Sequence, residues 1–515
     1  MIRKEIGNLF VVGYQGVEPS DDFLKFVEEW GIGGVIVFAR NIGDIERLPH
    51  ALNRIEDAAG KRIFAAIDQE GGLVMRLLQK CSLFQSAMGL AATADIELVE
   101  KSHFAMAEEM LAIGLNWNLA PVLDINHPDN PGIGARSFGD KAEMVARYGC
   151  AAIRGLQNAG VLACAKHFPG KGNARVDSHL TLPVIEHSRE HLENNELLPF
   201  KKAITEKVAA IMTAHVFFPA FEETPDLPAT LSRSVLTGLL REKMNFSGLL
   251  ITDDLEMGAI TEKYGIAEAA SRSFGAGADL LLICHQLEQQ KAAAEKILHL
   301  VKESDHFKLR LQESLSRIAT ARNQLNVSRE NRSMETIVNN HSGLIEITHK
   351  ESLRFLDHQP PMLKLKKEDK ILFVFPKISA LVQVEESHGN FGIGNILQDS
   401  FPNSSLIEYE PRAEAGVIIG KAKKEFERTD KLVFFSYNGH LFRSQIEAAN
   451  VLAKSFADAA AFALRNPYDL LLLTQFSTRG ASFSFRTPAI KAIICALQGK
   501  IDAKTGPWPI DIADW

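Results

Sequence analysis

Hydrophobic positions along the first 285 residues fall into one repeating rhythm. Short, nearly continuous apolar runs lie at residues 9–13, 34–38, 63–67, 118–124, 162–166, 209–213, 249–253 and 279–284, each ending in polar or glycine-rich sequence. A short run without alternation is what a parallel strand covered on both faces requires. Between the runs lie stretches with helical spacing, such as FLKFVEEWG and AEMVARYGCAAIRGLQNAG. Eight strands alternating with helices over about 300 residues predict a (β/α)8 barrel, with a doubly wound open sheet as the alternative. The pattern then changes. Leu311, Leu315 and Ile318 mark an amphipathic helix, and the polar stretch NVSRENRSMETIVNN reads as a linker. Beyond it HQPPM interrupts the chain before a new apolar run, ILFVFP. Further strands are expected at 405–410, 432–437 and 470–475, with a helix at 444–464. The expected division is an α/β barrel over 1–327, a linker over 328–345 and a smaller αβα sandwich over 346–515.

Length and composition narrow the function. A chain of 515 residues, 46% hydrophobic and 23% charged, fits a globular protein of two to four domains. A net charge of −7 with no long basic run argues against nucleic acid or an anionic membrane as partner. No stretch reaches the ~18–20 apolar residues of a spanning helix. The opening MIRKEIGNLFVVGYQG is too short in apolar residues for a secretory signal. The five cysteines are scattered without a CxxC pair, so neither a disulfide framework nor a zinc knuckle is expected. A reducing cytoplasm is the expected compartment.

In such a barrel the chemistry gathers at the C-terminal strand ends. Here the third run ends in Asp68-Gln69-Glu70-Gly71-Gly72, the fifth in Lys166-His167, the sixth near His215 and the seventh in Asp253-Asp254. Any one of these could be a capping group, but their convergence on one mouth points to a site. Asp253 follows GLLIT directly, and a carboxylate held on a rigid strand end can attack an electrophilic carbon and form an ester intermediate. Asp254 must point elsewhere, because strand side chains alternate, and a loop-capping role is expected for it. The loop KHFPGKGNARVDSHLTLP carries Asp177 and His179, where a carboxylate can fix the imidazole tautomer and raise its basicity for acid/base work. These residues suit glycosyl transfer. They leave open an aldolase-type reading in which Lys166 forms a Schiff base.

AAIDQEGG, IGARSFGD, KHFPGKGNARVDSHLTLP, IMTAHVFFPA, PATLSRSVLTGLL and GLLITDDLEMGAI, in this order, closely resemble glycoside hydrolase family 3. The DSH triplet and ITDDLEMGAI are similar to the bacterial β-N-acetylglucosaminidase subgroup, and ALRNPYDL and TPAIKAIICAL carry a thinner resemblance into the second domain. The resemblance implies a TIM-type barrel followed by an αβα sandwich. It also implies retaining hydrolysis of terminal non-reducing β-linked N-acetylglucosamine, in muropeptides of cell-wall recycling. Asp253 matches the family nucleophile and His179, paired with Asp177, the acid/base. Asp68, Arg76, Arg136, Lys166 and His167 match sugar-binding positions, and no cofactor or metal is implied. The chain departs from the usual pattern at Leu73, where GGRV is common, and at Lys171 and Asn173, where KHFPGHGDT is common; Lys141 after SFGD is also unusual. The Lys171 ammonium is expected either in solvent or against an anionic aglycone group. A phosphorylase with the same acid/base histidine, a drifted sugar-binding protein and a broad β-glucosidase are the rival readings. Oligomeric state and the role of the second domain stay open.

Overall fold

The computed structural model describes residues 1–174, 182–325, 333–356, 362–378 and 392–512. All eight expected runs form strands: β1 Phe10–Val12, β2 Gly34–Val37, β3 Phe64–Ile67, β4 Trp117–Asn118, β5 Leu162–Phe168, β6 Ala210–Thr213, β7 Leu249–Ile251 and β8 Leu281–Ile283. Every residue in them is buried, which accounts for apolar runs without alternation. Neighbours follow chain order from β1 to β7, and β8 pairs parallel with β1. A parallel bridge from Ile251 to Leu280 then brings β7 to β8. The ring has no reversal of strand order, so the open doubly wound alternative falls.

One strand departs from its expected bounds. β4 is only two residues long, and the expected 118–124 run leaves the ladder after Asn118 because Pro121 has no N–H to donate. The chain still tracks β5, with Cys164 N donating to Ala120 O at 2.8 Å and a bridge between Val122 and Lys166. Side chains make up for the short ladder. Asn116 takes Ala65 N at 2.8 Å and gives to Ile63 O at 3.0 Å. Asn118 likewise takes Gln69 N at 3.1 Å and gives to Gln69 O at 2.8 Å. The Asp68–Glu70 turn is thereby pinned to β4.

The second sheet has six strands, β9 Arg354–Phe355, β10 Ile371–Pro376, β11 Ser405–Tyr409, β12 Lys431–Ser436, β13 Asp458–Ala463 and β14 Thr478–Ala481, in the order β11-β10-β12-β13-β14-β9. All neighbours are parallel except β14 and β9. Helices Met334–Ser352 and Ile393–Ser400 pack on Thr487–Leu497, and Ala415–Lys423 packs on Ser444–Ala453, so the sheet has its own helical layers and core. Three expectations here need correction. The single helix expected at 444–464 is a helix, Ser444–Ala453, followed by β13. DAAAFA has helical propensity, but its small side chains suit a central strand between β12 and β14. The strand expected at 470–475 begins instead as the short helix Asp469–Leu472, while TRGA, with no apolar run, forms β14. Residues 334–345, expected as linker, belong to the helix Met334–Ser352, whose Ser333 cap accepts from Thr336 N.

The two units meet on the site side of the barrel. Leu73, Val74, Met88, Ala92 and Ala135, from the loops after β3 and β4, are part of the second unit's apolar cluster. Polar bonds cross at the same place: Gln85 Nε2 gives to Ser352 Oγ at 2.7 Å and Ser482 O at 3.1 Å, and Arg486 Nε to Gly72 O at 2.9 Å. Gly72 has φ +57°, and a Cβ there would stand 2.5 Å from the Cβ of Ser86, so the turn after β3 needs glycine. Among the described residues no helix is long and apolar enough to cross a membrane.

Candidate active site

The strand ends surround a cavity of about 300 Å³, and its lining includes Asp68, Arg76, Arg136, Lys166, His167, Lys171 and Asp253. All five residues expected to bind sugar thus come together with the expected nucleophile. Asp177 and His179 lie outside the described residues.

Asp68 and Glu70, two residues apart beyond β3, both reach Lys166 on β5: its Nζ is 2.6 Å from Asp68 Oδ1 and 2.7 Å from Glu70 Oε1. Arg136 Nε and Nη2 grip the two oxygens of Glu70, each at 2.8 Å, and Nη1 gives to Gly132 O at 3.0 Å. Three of the five guanidinium hydrogens are so committed, and two remain for a ligand. Burial disfavours the Glu70 anion, but Arg136 and Lys166 outweigh it and hold its pKa down at about 2. Burial opposes charge on Lys166 too, yet Asp68 and Glu70 keep its pKa above the ordinary lysine value. A Schiff-base lysine needs a free amine, whereas Lys166 Nζ is held between two carboxylates at 2.6 and 2.7 Å, which speaks against the aldolase-type reading. Arg76 Nη2 stands 4.0 Å from Asp68 Oδ2, and Arg76 N and Leu77 N give to Gln69 Oε1 at 2.9 and 3.2 Å.

His167 is oriented by Asp124, whose Oδ2 is 2.7 Å from Nδ1. The other oxygen of Asp124 accepts Lys171 N at 2.7 Å, so one buried carboxylate fixes both His167 and the start of the next loop. That loop also demands glycine, since a Cβ on Gly172 would fall 1.7 Å from Ile125 O. Lys171 is not a solvated loop residue: only 8% exposed, it directs Nζ to within 3.6 Å of Asp253 Oδ2. Asp253 N gives to Thr213 Oγ1 at 3.3 Å, and Asp253 Oδ1 accepts Asp254 N at 2.9 Å.

Asp254 takes the expected capping part, accepting Glu256 N at 3.1 Å, although it also touches the cavity. His215 does not line the cavity. Its Nε2 gives to Asp254 O at 2.8 Å, which ties the end of β6 to the loop after β7, and burial lowers its pKa. The roles of Glu70, Asp124 and Glu256 escaped the sequence reading. The signal for Glu70 was the two-residue spacing from Asp68, which puts both on one side of an extended chain. Asp254, Glu256 and His285 could together hold a cation, but their carboxylates already accept Glu256 N, His285 N and Gln286 N.

A closed β/α barrel whose strand ends set carboxylates, cations and an oriented imidazole around a small cavity defines an enzyme for small, hydroxyl-rich ligands. Residues 1–321 match the glycosyl hydrolase family 3 N-terminal domain, and the chain belongs to that family. It is therefore a glycoside hydrolase. Among its relatives, a β-hexosaminidase of Tolumonas auensis is 38% identical over 275 residues, covering 53% of this chain and 81% of that one. β-Hexosaminidase A of Pseudoalteromonas piscicida is 35% identical over 280 residues; the match covers 50% of this chain but only 47% of that protein. The likeness to a solved family 3 β-N-acetylglucosaminidase of Paenibacillus sp. FPU-7 spans 99% of both chains, with 33% identity and a TM-score of 0.92. Second domain as well as barrel is therefore shared.

Proposed function

We propose that the chain is a retaining exo-β-N-acetylglucosaminidase that frees terminal non-reducing N-acetylglucosamine, with muropeptides of cytoplasmic cell-wall recycling as substrates. The observation that carries the reading is the placement of the Asp253 carboxylate in one 300 Å³ cavity with the Asp68–Lys166–Glu70–Arg136 network. The volume is at the small end of the roughly 300–1,000 Å³ span of ligand pockets, which suits a single sugar ring. The relatives named for β-hexosaminidase and β-N-acetylglucosaminidase activity support the choice of sugar.

In this reading Asp253 attacks the anomeric carbon as the glycosidic oxygen leaves, and His179, oriented by Asp177, protonates that oxygen. A glycosyl ester on Asp253 results. His179, now neutral, then takes a proton from water, which attacks the ester carbon and regenerates Asp253. Asp68, Arg76, Arg136, Lys166 and His167 would hold the sugar, the two uncommitted Arg136 hydrogens reaching its hydroxyls or acetamide.

Lys171 favours a second reading. A cation 3.6 Å from the nucleophile could equally receive phosphate as acceptor in place of water. Release of an aryl alcohol from an aryl N-acetyl-β-glucosaminide, measured with and without phosphate, separates the two. Wild type should turn over at a rate indifferent to phosphate and give the β-anomer first, with Asp253→Ala about 10⁴-fold slower or worse, on the order of 5 kcal/mol. A rate that rises with phosphate, yielding sugar 1-phosphate, moves the protein to phosphorolysis. Full activity in Asp253→Ala sinks the proposed nucleophile.

A further inference from the structure

A second group of chemistry-bearing side chains sits outside the cavity, beyond the loop that follows β5. His187, His191 and Glu196 each offer a ligand atom, and the three atoms lie within 4.8 Å of one another. The local fold puts them there. Ser188 caps the short helix Arg189–Asn194 by accepting His191 N, and the two imidazoles lie with centroids 4.2 Å apart and planes tilted by 32°. Glu196 stands immediately before the next helix, Leu197–Thr205, without a side-chain bond to its backbone, and its Cβ packs where a Cβ on Gly170 would come within 2.9 Å.

Two observations distinguish this from a chance surface cluster. Glu196 is 6% exposed, and its Oε2 is buried with no hydrogen-bond partner among the described residues. An unsatisfied buried carboxylate oxygen costs roughly 1–3 kcal/mol or more, and a cation held by both oxygens of Glu196 would remove that cost. The donor set is also selective. Zinc bonds of about 2.0–2.2 Å to nitrogen and oxygen put tetrahedral ligand atoms roughly 3.3–3.5 Å apart. His191 Nε2 and Glu196 Oε1 already stand at 3.6 Å, so small rotamer changes close the set. Two imidazoles with one carboxylate favour zinc over magnesium or calcium, which prefer oxygen ligands. The Asn173 amide, on the loop after β5, lies 2.6 Å from His187 Nε2 through Nδ2, and with its oxygen turned to that nitrogen it would accept the ring N–H of a His187 bound to metal through Nδ1.

We propose that His187, His191 and Glu196 form a Zn²⁺ site, with solvent as the fourth ligand beside the exposed His191. Bound there, the ion staples the two short helices to the base of that loop. The site is separate from the sugar cavity and does not depend on the activity proposed above. The test is calorimetric titration of chelator-treated full-length protein with zinc chloride, beside His191→Ala, Glu196→Gln and the cavity variant Glu256→Gln. Wild type and Glu256→Gln should each take up one equivalent, with affinity roughly 100-fold weaker in the other two, since three ligands share the binding free energy. Cobalt substitution in wild type gives a readout that needs no variant to fold: intense visible absorption of a four-coordinate centre is expected. The proposal is overturned if wild type takes up no zinc below millimolar concentration, if cobalt gives only the weak absorption of a hydrated ion, or if Glu256→Gln alone abolishes uptake.

Discussion

Barrel and second domain each contain a buried histidine–aspartate pair of nearly the same geometry. In the barrel His167 Nδ1 is 2.7 Å from Asp124 Oδ2; in the second domain His440 Nδ1 is 2.8 Å from Asp469 Oδ1. Both carboxylates are fully buried and both accept main-chain N–H groups besides, Asp124 from Lys171 and Asp469 from Gly439 and His440. What differs is what each ring faces. His167 lines the cavity, whereas His440 Nε2 meets Pro128 O at 3.2 Å, so the second pair is used up holding the loop after β4. An oriented imidazole is therefore no signature of catalysis on its own. The same device is open to a ligand or serves as cement according to whether the far edge of the ring meets a cavity or a carbonyl.

Exchanging the two losses is the strongest way to break this comparison. His167→Ala should lower kcat/KM by about 100-fold per folded molecule, ~3 kcal/mol of transition-state binding. His440→Ala should lose about 3 kcal/mol of unfolding free energy, because Asp469 stays buried without its partner, while the specific activity of the folded fraction changes little. Chemical denaturation beside steady-state kinetics on both variants reads the two quantities. If His440→Ala costs activity as heavily as His167→Ala, the distinction between a ring open to ligand and a ring used as cement is wrong.

Histidines with no carboxylate partner sharpen the contrast. His103 and His349 are buried, and each gives Nδ1–H only to a carbonyl four residues earlier, at 2.8 Å. Burial pulls both pKa values down from 6.5 to about 4, with the carbonyl bond only partly opposing it. The unfolded chain thus binds more protons than the folded one between those values, so stability should fall as pH drops from about 6.5 towards about 4. Each ring should contribute about 2 kcal/mol of that loss by pH 5. Glu70 adds a second phase. Its folded pKa of about 2 lies below the ordinary 4.5, so its contribution is present above pH 4.5 and is lost as pH falls towards 2. Denaturant midpoints from pH 7 to 3 check this, and in His103→Gln/His349→Gln the first phase should flatten. A first phase unchanged in that variant would assign the loss to other groups.

The sequence carried the barrel because each strand is covered on both faces, and eight apolar runs survive in the chain as eight separate signals. It carried less of the second domain. β13 is made mostly of alanine, and β14, as TRGA, has no apolar run to see. The site was legible as residues but not as partnerships. Asp68, Arg76, Arg136, Lys166, His167 and Asp253 were each marked by a strand end or a motif, and they meet around one cavity. That Glu70 belongs to Arg136, or Asp124 to His167, depends on pairings made across 66 and 43 residues of chain, which no local pattern records. Lys171 was read as a departure from a family pattern, and its contact with Asp253 emerges only when β5 and β7 are brought together.

The smallest expected effect concerns the reach of the second domain into the site. No described residue of that domain lines the cavity; it acts on the loops that do. Tyr468 is the place to ask how strongly, because its hydroxyl accepts Asn126 Nδ2 at 2.7 Å, two residues beyond the Asp124 that orients His167. Tyr468→Phe keeps the buried ring and removes the hydroxyl, leaving one Asn126 amide hydrogen without that acceptor. The cost should be about 1 kcal/mol of stability. If the loop is held in register partly by this bond, kcat/KM should also fall by a few-fold while the zinc uptake proposed for His187, His191 and Glu196 stays as in wild type. A variant with wild-type kcat/KM and reduced stability would show that the second domain fastens the barrel without tuning it. Loss of kcat/KM near that of His167→Ala would instead make the brace part of the catalytic machinery, and the line between the two histidine–aspartate pairs would have to be drawn elsewhere.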